Sequence, residues 1–189
     1  MMEQPLEVFD AKNQPLGYTK PKAQIEQEGD WHRTAQVFVF NQRNELLLSL
    51  RHPAKKVLPN CWDVCVGGHT DPGESYEDAA LRETEEELGI RPGAGELRFV
   101  GHFRVEVIDA QMPLRDLEHA AVYIWKTHLG LNDFTMQADE LAELRYMPLD
   151  TVKRDLLREE PTLAYTPPRQ TYYQMLCEAE LVLASISAG

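Results

Sequence analysis

The sequence contains no long run of apolar residues, and basic residues are scarce relative to acidic ones. Lysine and arginine total 19 against 31 aspartates and glutamates, so the 189-residue chain carries a formal net charge of −12 at pH 7. A membrane-spanning helix needs about 20 mostly apolar residues, and sequence-independent binding to nucleic acid needs a basic surface. We therefore predict that its partners are neither membranes nor nucleic acids. A hydrophobic content of 43% excludes a disordered chain.

Cysteine is also scarce, and its three positions lack the spacing of metal ligands. Cys61 and Cys65 lie four positions apart around a predicted strand, and Cys177 lies far from both. We interpret all three as reduced structural thiols, which are typical of an intracellular protein. The segment MMEQPLEVFD has no basic region followed by an apolar stretch, so no signal peptide is expected. These features predict a cytoplasmic protein.

The pattern of apolar and turn residues predicts a single α/β domain. Strands are expected over residues 6–9, 34–41, 45–51, 64–67, 97–108, 120–127 and 144–147. Helices are expected over about residues 76–88, 151–157 and 171–185, and residues 24–30 form either a loop or a short helix. The last helix carries one apolar stripe, formed by Tyr172, Met175, Leu176, Ala179 and Leu183. We interpret this stripe as core or as the contact face of a homodimer.

The predicted helix over residues 76–88 has an unusual acidic face. Ser75 is a good N-cap and Gly89 a good stop. One face carries Leu81, Thr84 and Leu88. The roughly opposite face carries Glu83, Glu86 and Glu87. These carboxylates would crowd within about 5–6 Å at Cβ and repel one another. A divalent cation with oxygen ligands would reverse that penalty, whereas a solvated acidic face is the alternative.

The segment around this helix resembles the signature of the Nudix hydrolases, Gly-x5-Glu-x7-Arg-Glu-U-x-Glu-Glu-x-Gly-U, where U is a bulky aliphatic residue. The matching positions are Gly68, Glu74, Arg82, Glu83, Glu86, Glu87, Gly89 and Ile90. So many fixed identities at fixed spacing make the motif specific. Thr84 departs from it, because it stands where an aliphatic residue is typical.

The resemblance implies the Nudix α/β/α sandwich, a mixed β-sheet with helices on both sides. It also implies one Nudix domain over residues 1–189. Within that domain we expect an N-terminal strand extension over 1–30, the core over 31–150 with the motif at 68–90, and C-terminal helices over 151–189.

The resemblance further implies a metal-dependent diphosphate hydrolase. Its cofactor would be Mg²⁺ or Mn²⁺, held by Glu83, Glu86 and Glu87 with a backbone carbonyl of Gly67 or Gly68. The metal neutralises the diphosphate and lowers the pKa of a bound water, which then attacks phosphorus. Glu74 and Arg82 would form a salt bridge that orients Glu83.

The general base and the substrate ligands are less firmly fixed by the motif. In the family the base is a helix glutamate, here Glu83, or a glutamate on a distal loop, here Glu140. Arg51 ends a predicted strand, and Lys55 lies in the same basic cluster, so both would bind a substrate phosphate. The alternative is that these cations only pair with the acidic surface.

A second resemblance covers residues 9–33 and 51–90 and is to the Nudix subgroup of isopentenyl-diphosphate isomerase and its hydrolase relatives. His32 and His69 match isomerase metal ligands. Glu118 aligns with another carboxylate that the isomerases use near the metal. These matches imply a second reading, in which the enzyme moves a double bond.

Three departures favour the hydrolase. Gly67 stands where the isomerases carry a catalytic Cys, Glu83 where they carry an Arg, and Ile25 where they carry another metal-binding His. The expected substrate is a nucleoside-diphosphate-type or related small-molecule diphosphate. The alternatives are an isopentenyl-diphosphate isomerase-like enzyme and a Nudix fold that binds without catalysis.

Overall fold

The computed structural model describes residues 5–109 and 114–187. These residues contain a mixed sheet of nine strands and, in addition, four α-helices. In chain order the strands are β1 (Pro5–Phe9), β2 (Pro15–Pro21), β3 (Trp31–Phe40), β4 (Glu45–Arg51), β5 (Trp62–Asp63), β6 (Val66–His69), β7 (Leu97–Asp109), β8 (Leu114–Lys126) and β9 (Leu141–Pro148). The helices are α1 (Lys22–Glu28), α2 (Tyr76–Leu88), α3 (Leu149–Leu156) and α4 (Arg169–Ser187). The predicted α/β class is confirmed.

Strand β3 is the centre of the sheet. It pairs in parallel with β8 along its whole length and antiparallel with β6 over residues 34–37. In that second ladder Ala35 lies opposite Gly68 and Gln36 opposite Gly67. The glycines that begin the acidic motif are therefore held against the middle of the most buried strand.

Two apolar layers cover the two faces of this sheet. On one face, Ala79, Ala80 and Leu88 of α2 pack against alternate residues of β3 and β8. On the other face, α3 and α4 pack against the intervening residues, which include Phe38 and Phe40. This is the α/β/α sandwich. The stripe on α4 is core, since its members are at most 8% exposed: Tyr172, Met175, Leu176, Ala179 and Leu183.

Helix α2 begins and ends where its sequence predicts. The Ser75 side chain accepts a hydrogen bond from the backbone N–H of Asp78 at 3.1 Å, and Gly89 adopts the left-handed conformation with φ 72°. Thr84 is fully buried and donates its hydroxyl to the carbonyl of Ala80 at 2.7 Å. That bond satisfies the polar atom that replaces the usual aliphatic side chain.

Two of the predicted strand ranges differ from the structure near the site. Strand β6 covers Val66–His69 rather than 64–67, because residues 64–65 form a bend. Strand β8 begins at Leu114 rather than at residue 120, since Leu117 is paired on one side with β3 and on the other with β7. Residues 114–119, which lie outside the predicted strands, are therefore part of β8. No helix in the described part of the chain is long and apolar enough to cross a membrane.

Truncating the buried face of α2 will destabilise the domain, whereas restoring the usual motif residue will not. Leu88 is fully buried, so we expect Leu88→Ala to lower the free energy of unfolding by about 2–5 kcal/mol. We expect Thr84→Val to change it by about 1 kcal/mol or less, because the carbonyl of Ala80 keeps its helical partner. Urea unfolding measures both, and equal losses in the two variants would contradict this packing.

Candidate functional site

A cleft of about 430 Å³ opens beside β6 and the acidic face of α2. Among the described residues that line it are eight carboxylates: Glu26, Asp63, Glu83, Glu86, Glu87, Asp116, Glu118 and Glu140. The described lining includes only four cationic side chains: Lys22, Arg51, Lys55 and Arg82. With these groups ionised, the cleft has a surplus of negative charge, which repels an anion unless further cations are bound.

Two glycines of β6 are required by close contacts. Gly67 has φ 146°, and a Cβ there would lie 2.0 Å from the carbonyl oxygen of Ala35. A Cβ on Gly68 would lie 2.7 Å from the carboxyl group of Glu83. The backbone N–H of Gly67 donates to Oε1 of Glu87 at 3.4 Å. The glycine at 67 therefore permits the close approach of β6 to β3, and the glycine at 68 permits the close approach of β6 to Glu83.

Arg82 holds several groups in place around the acidic face of α2. Its guanidinium binds both carboxylate oxygens of Glu74, at 2.8 and 3.0 Å. It also donates to the carbonyl of His69 at 2.9 Å and to the carboxylates of Glu83 at 2.7 Å and Glu86 at 3.5 Å. Five contacts match the five N–H donors of an arginine. The expected Glu74–Arg82 salt bridge is present, and Arg82 positions other groups instead of pointing a free donor into the cleft.

Burial acts against the ionised forms of the helix glutamates. Burial raises the pKa of Glu87 well above its usual range, and the negative charges of Asp63 and Glu83 add to that rise. Burial likewise raises the pKa of Glu83, although Arg82 opposes the shift. The side chain of Glu86 remains 52% exposed. Carboxylates that are crowded and partly desolvated fit a divalent cation with oxygen ligands, because the cation stabilises their charged forms.

A second donor cluster is formed by residues of β3, β6 and β8. His32, His69 and Glu118 each offer one ligand atom, and the three atoms lie within 4.8 Å of one another. The two imidazole rings stack with centroids 5.0 Å apart. Within the described part of the chain neither buried Nε2 atom makes a hydrogen bond, although that of His32 lies 3.4 Å from Oδ1 of Asp116. Two imidazoles and a carboxylate form a donor set that suits Zn²⁺ or Mn²⁺.

The protonation states in this second cluster also suit a metal. Burial lowers the pKa of His32 to about 4 and that of His69 well below its usual value, so both rings are neutral at pH 7. Burial, followed by the charge of Asp116, raises the pKa of Glu118. Ile25 packs with Leu6 and Val8, and its apolar side chain offers no metal ligand. The additional histidine of the isomerases is thus replaced by an apolar contact.

The predicted substrate ligands and the predicted loop base already have partners. Arg51 donates to Asp63 at 3.2 Å and to two backbone carbonyls, so its donors are largely used within the chain. Lys55 forms an ion pair with Glu140. Both pairs line the cleft. Glu140 can act as a base only when Lys55 has moved away from it.

Asp63 is a cleft residue that sequence reasoning missed. It lies on β5, its side chain is only 17% exposed, and it pairs with Arg51 and with the hydroxyl of Thr166. A charged residue directly after the buried Trp62 was the available signal, because an aspartate on a short buried strand requires a partner. The partners come from distant segments, so their identity could not be inferred from spacing.

The sequence profile of the NUDIX domain family matches residues 30–167 of this chain. The chain is 29% identical to Nudix hydrolase 3 of Arabidopsis thaliana over 88% of its own length, and it spans only 22% of that protein. It is 32% identical to an isopentenyl-diphosphate Delta-isomerase of Nocardia farcinica, over 86% of this chain and 89% of that protein. A crystal structure of a Deinococcus radiodurans protein superposes with a TM-score of 0.70 at 20% identity, covering 90% of this chain and 98% of the other. That likeness supports the fold alone.

Removing one negative charge will have opposite effects on stability at Glu87 and at Glu74. In metal-free protein at pH 7, we expect Glu87→Gln to raise the free energy of unfolding and Glu74→Gln to lower it. The raised folded pKa of Glu87 means that its ionisation costs stability as pH rises above the unfolded value of about 4.3. Arg82 lowers the pKa of Glu74, whose charge stabilises the fold above that value, and this stability is lost as pH falls through the lowered pKa.

Urea unfolding with EDTA between pH 4 and 8 measures both signs. The gain from Glu87→Gln should grow with pH and vanish near pH 4. Glu85→Gln is the matched control, since Glu85 is exposed on the same helix and pairs with Arg91 at its surface. A Glu87→Gln protein that is less stable than wild type at pH 8 in EDTA would contradict the electrostatic account.

Proposed function

The chain belongs to the NUDIX domain family, and on that premise we propose that it is a Mg²⁺- or Mn²⁺-dependent hydrolase of a diphosphate linkage. The substrate would be a nucleoside-diphosphate-type or related small molecule. The observation that carries the proposal is the cleft itself, where eight carboxylates face only four cations. Such a cleft accepts an anionic diphosphate only together with divalent cations.

The residues have distinct tasks in this proposal. Glu83, Glu86 and Glu87 would hold the metal, with a backbone carbonyl of Gly67 or Gly68. When bound, the metal supplies positive charge against the phosphate oxygens and lowers the pKa of water. Arg82 keeps Glu83 in place through their 2.7 Å contact.

The ion pairs Arg51–Asp63 and Lys55–Glu140 supply the remaining groups of the proposed mechanism. Lys55 and Arg51 orient the diphosphate. A substrate phosphate that attracts Lys55 would free the carboxylate of Glu140, and that carboxylate would then accept the proton of the attacking water. Binding and activation of the base are in this way coupled through one ion pair.

An isomerase-like activity is the second candidate, and the assembled cluster of His32, His69 and Glu118 favours it. Against it stands Gly67, where the isomerases have a catalytic cysteine. With φ 146° and the carbonyl of Ala35 so close, this position has no room for a side chain. Cys65 lines the same cleft, but burial raises the pKa of its thiol well above the usual value.

A non-catalytic binding module is the third candidate. The chain keeps all three acidic residues on the cleft face of α2, which a pure binding module does not need. A cytoplasmic location is part of the proposal and is supported by the free thiols of Cys61, Cys65 and Cys177. A homodimer remains a prediction.

Phosphate release from a panel of nucleotide sugars, nucleoside di- and triphosphates, dinucleotides and isoprenoid diphosphates tests the proposal. We expect turnover of some member with Mg²⁺ or Mn²⁺ and none with EDTA. Glu87→Gln should lower turnover by about two orders of magnitude or more, because it removes a metal ligand. Glu85→Gln removes the same charge two positions earlier, on the exposed side of α2, and should keep wild-type turnover. Wild-type turnover by Glu87→Gln at saturating Mg²⁺ would refute the assignment.

Isopentenyl diphosphate in deuterated water separates the hydrolase from the isomerase. An allylic proton shift needs a donor and an acceptor on opposite faces of the alkene, and Gly67 provides neither. We therefore expect NMR to detect no deuterated dimethylallyl diphosphate with Mg²⁺ present. Accumulation of that product, abolished by Cys65→Ala, would mean that Cys65 reaches the substrate and that the isomerase reading is correct.

A further inference from the structure

The carboxylate of Asp63 joins two loops that form one wall of the cleft. Loop A is residues 52–61, between β4 and β5, and loop B is residues 157–168, between α3 and α4. Oδ2 of Asp63 accepts a hydrogen bond from Arg51 at 3.2 Å, and Oδ1 accepts one from the hydroxyl of Thr166 at 2.5 Å. One oxygen of Asp63 therefore binds loop B directly, and the other binds Arg51, the last residue of β4 before loop A.

Arg51 carries the link from Asp63 into loop A. Its guanidinium donates to the carbonyls of Leu58 at 3.1 Å and Val57 at 3.0 Å. Leu58 has a φ angle of 49°, which is unfavourable for a residue with a bulky side chain. Backbone in that region persists only when surrounding contacts hold it. The guanidinium of Arg51, which Asp63 orients, supplies such contacts next to the backbone hydrogen bonds of loop A.

Thr166 carries the link into loop B. Its backbone N–H donates to the carbonyl of Trp62 at 3.0 Å, while the N–H of Trp62 donates to the carbonyl of Ala164 at 2.7 Å. Thr166 is only 4% exposed, so its hydroxyl cannot turn to solvent for a partner. Thr166 and Pro167 of loop B line the cleft, as do Val57 and Leu58 of loop A.

We propose that Asp63 is a positioning residue, which holds loops A and B at a fixed separation and so sets the affinity of the cleft for the diphosphate group. That the ligand is a diphosphate rests on the proposed function, whereas the link between the two loops does not. Asp63 acts through Arg51 and through loop A, which bears Lys55. Its own negative charge disfavours an anion in the cleft, so its benefit to binding comes from geometry alone.

Positioning and charge predict opposite results, which makes the proposal testable. If Asp63 acted only as a charge, Asp63→Asn would tighten the binding of an anion, because it removes repulsion and releases the charge of Arg51. If Asp63 positions the loops, Asp63→Asn weakens binding, because the neutral amide keeps only one acceptor oxygen and loses the charge-assisted hydrogen bond with Arg51. Thr166→Val cuts the other link without any change of charge, so a weakening in that variant has no electrostatic explanation.

The probe is methylenediphosphonate, a diphosphate analogue that cannot be hydrolysed, titrated calorimetrically into the full chain with Mg²⁺. We expect Asp63→Asn and Thr166→Val each to weaken binding by about tenfold, the scale of one hydrogen bond to a charged group. The double variant should be no weaker than the weaker single variant, because both cuts break the same clamp. Asp150→Asn removes a charge outside the cleft lining and should leave the affinity within about twofold of wild type. Tighter or unchanged binding by Asp63→Asn, or unchanged binding by Thr166→Val, overturns the proposal.

Hydrogen exchange separates this proposal from the proposed function. The substitution Thr166→Val lies in loop B, yet it should speed the hydrogen exchange of the Asn60 and Cys61 amides in loop A. Asp63→Asn should speed exchange in both loops. If wild type binds no diphosphonate, the proposed function fails, and exchange in Thr166→Val alone decides whether Asp63 joins the loops. Exchange in loop A that is unchanged by Thr166→Val would refute the link.

Discussion

The contacts of Arg82 are the constraint on which the geometry of the cleft depends. One guanidinium holds Glu74 from the loop before α2, the carbonyl of His69 at the end of β6, and Glu83 on the helix itself. These three partners belong to three successive segments of the chain, so a single side chain sets the angle at which the helix meets the strand. That angle directs the carboxylates of α2 toward the backbone of Gly67 and Gly68.

The electrostatics of the cleft follow from this arrangement. Two donor sets lie near β6, one formed by the carboxylates on α2 and one by the imidazoles of His32 and His69 with Glu118. In both sets burial favours neutral groups, because it raises the pKa values of Glu83, Glu87 and Glu118 and lowers those of the histidines. A neutral imidazole can bind a cation directly. A carboxyl pKa is raised when no positive charge lies nearby to stabilise the ionised form. Both observations are consistent with a site that is completed by metal ions.

The part of this arrangement that is local in sequence could be predicted, and the part that joins distant segments could not. Ser75, Gly89 and the Glu74–Arg82 pair lie within one motif, where spacing along a helix fixes the geometry. The contact between Lys55 and Glu140 joins residues 85 positions apart, and only the pairing of β4 with β9 brings their loops together. Glu118 lies before the strand predicted over residues 120–127, yet pairing with both β3 and β7 includes it in β8.

The most direct test of the central claim, that the surplus carboxylates admit an anion only with divalent cations, is the affinity of the wild-type chain for methylenediphosphonate as the Mg²⁺ concentration is varied. Linkage requires each ligand to raise the affinity of the other by the same factor. The account predicts no measurable binding in EDTA and an affinity that rises with Mg²⁺ until the metal sites are filled. Equal affinity with EDTA and with saturating Mg²⁺ would contradict it.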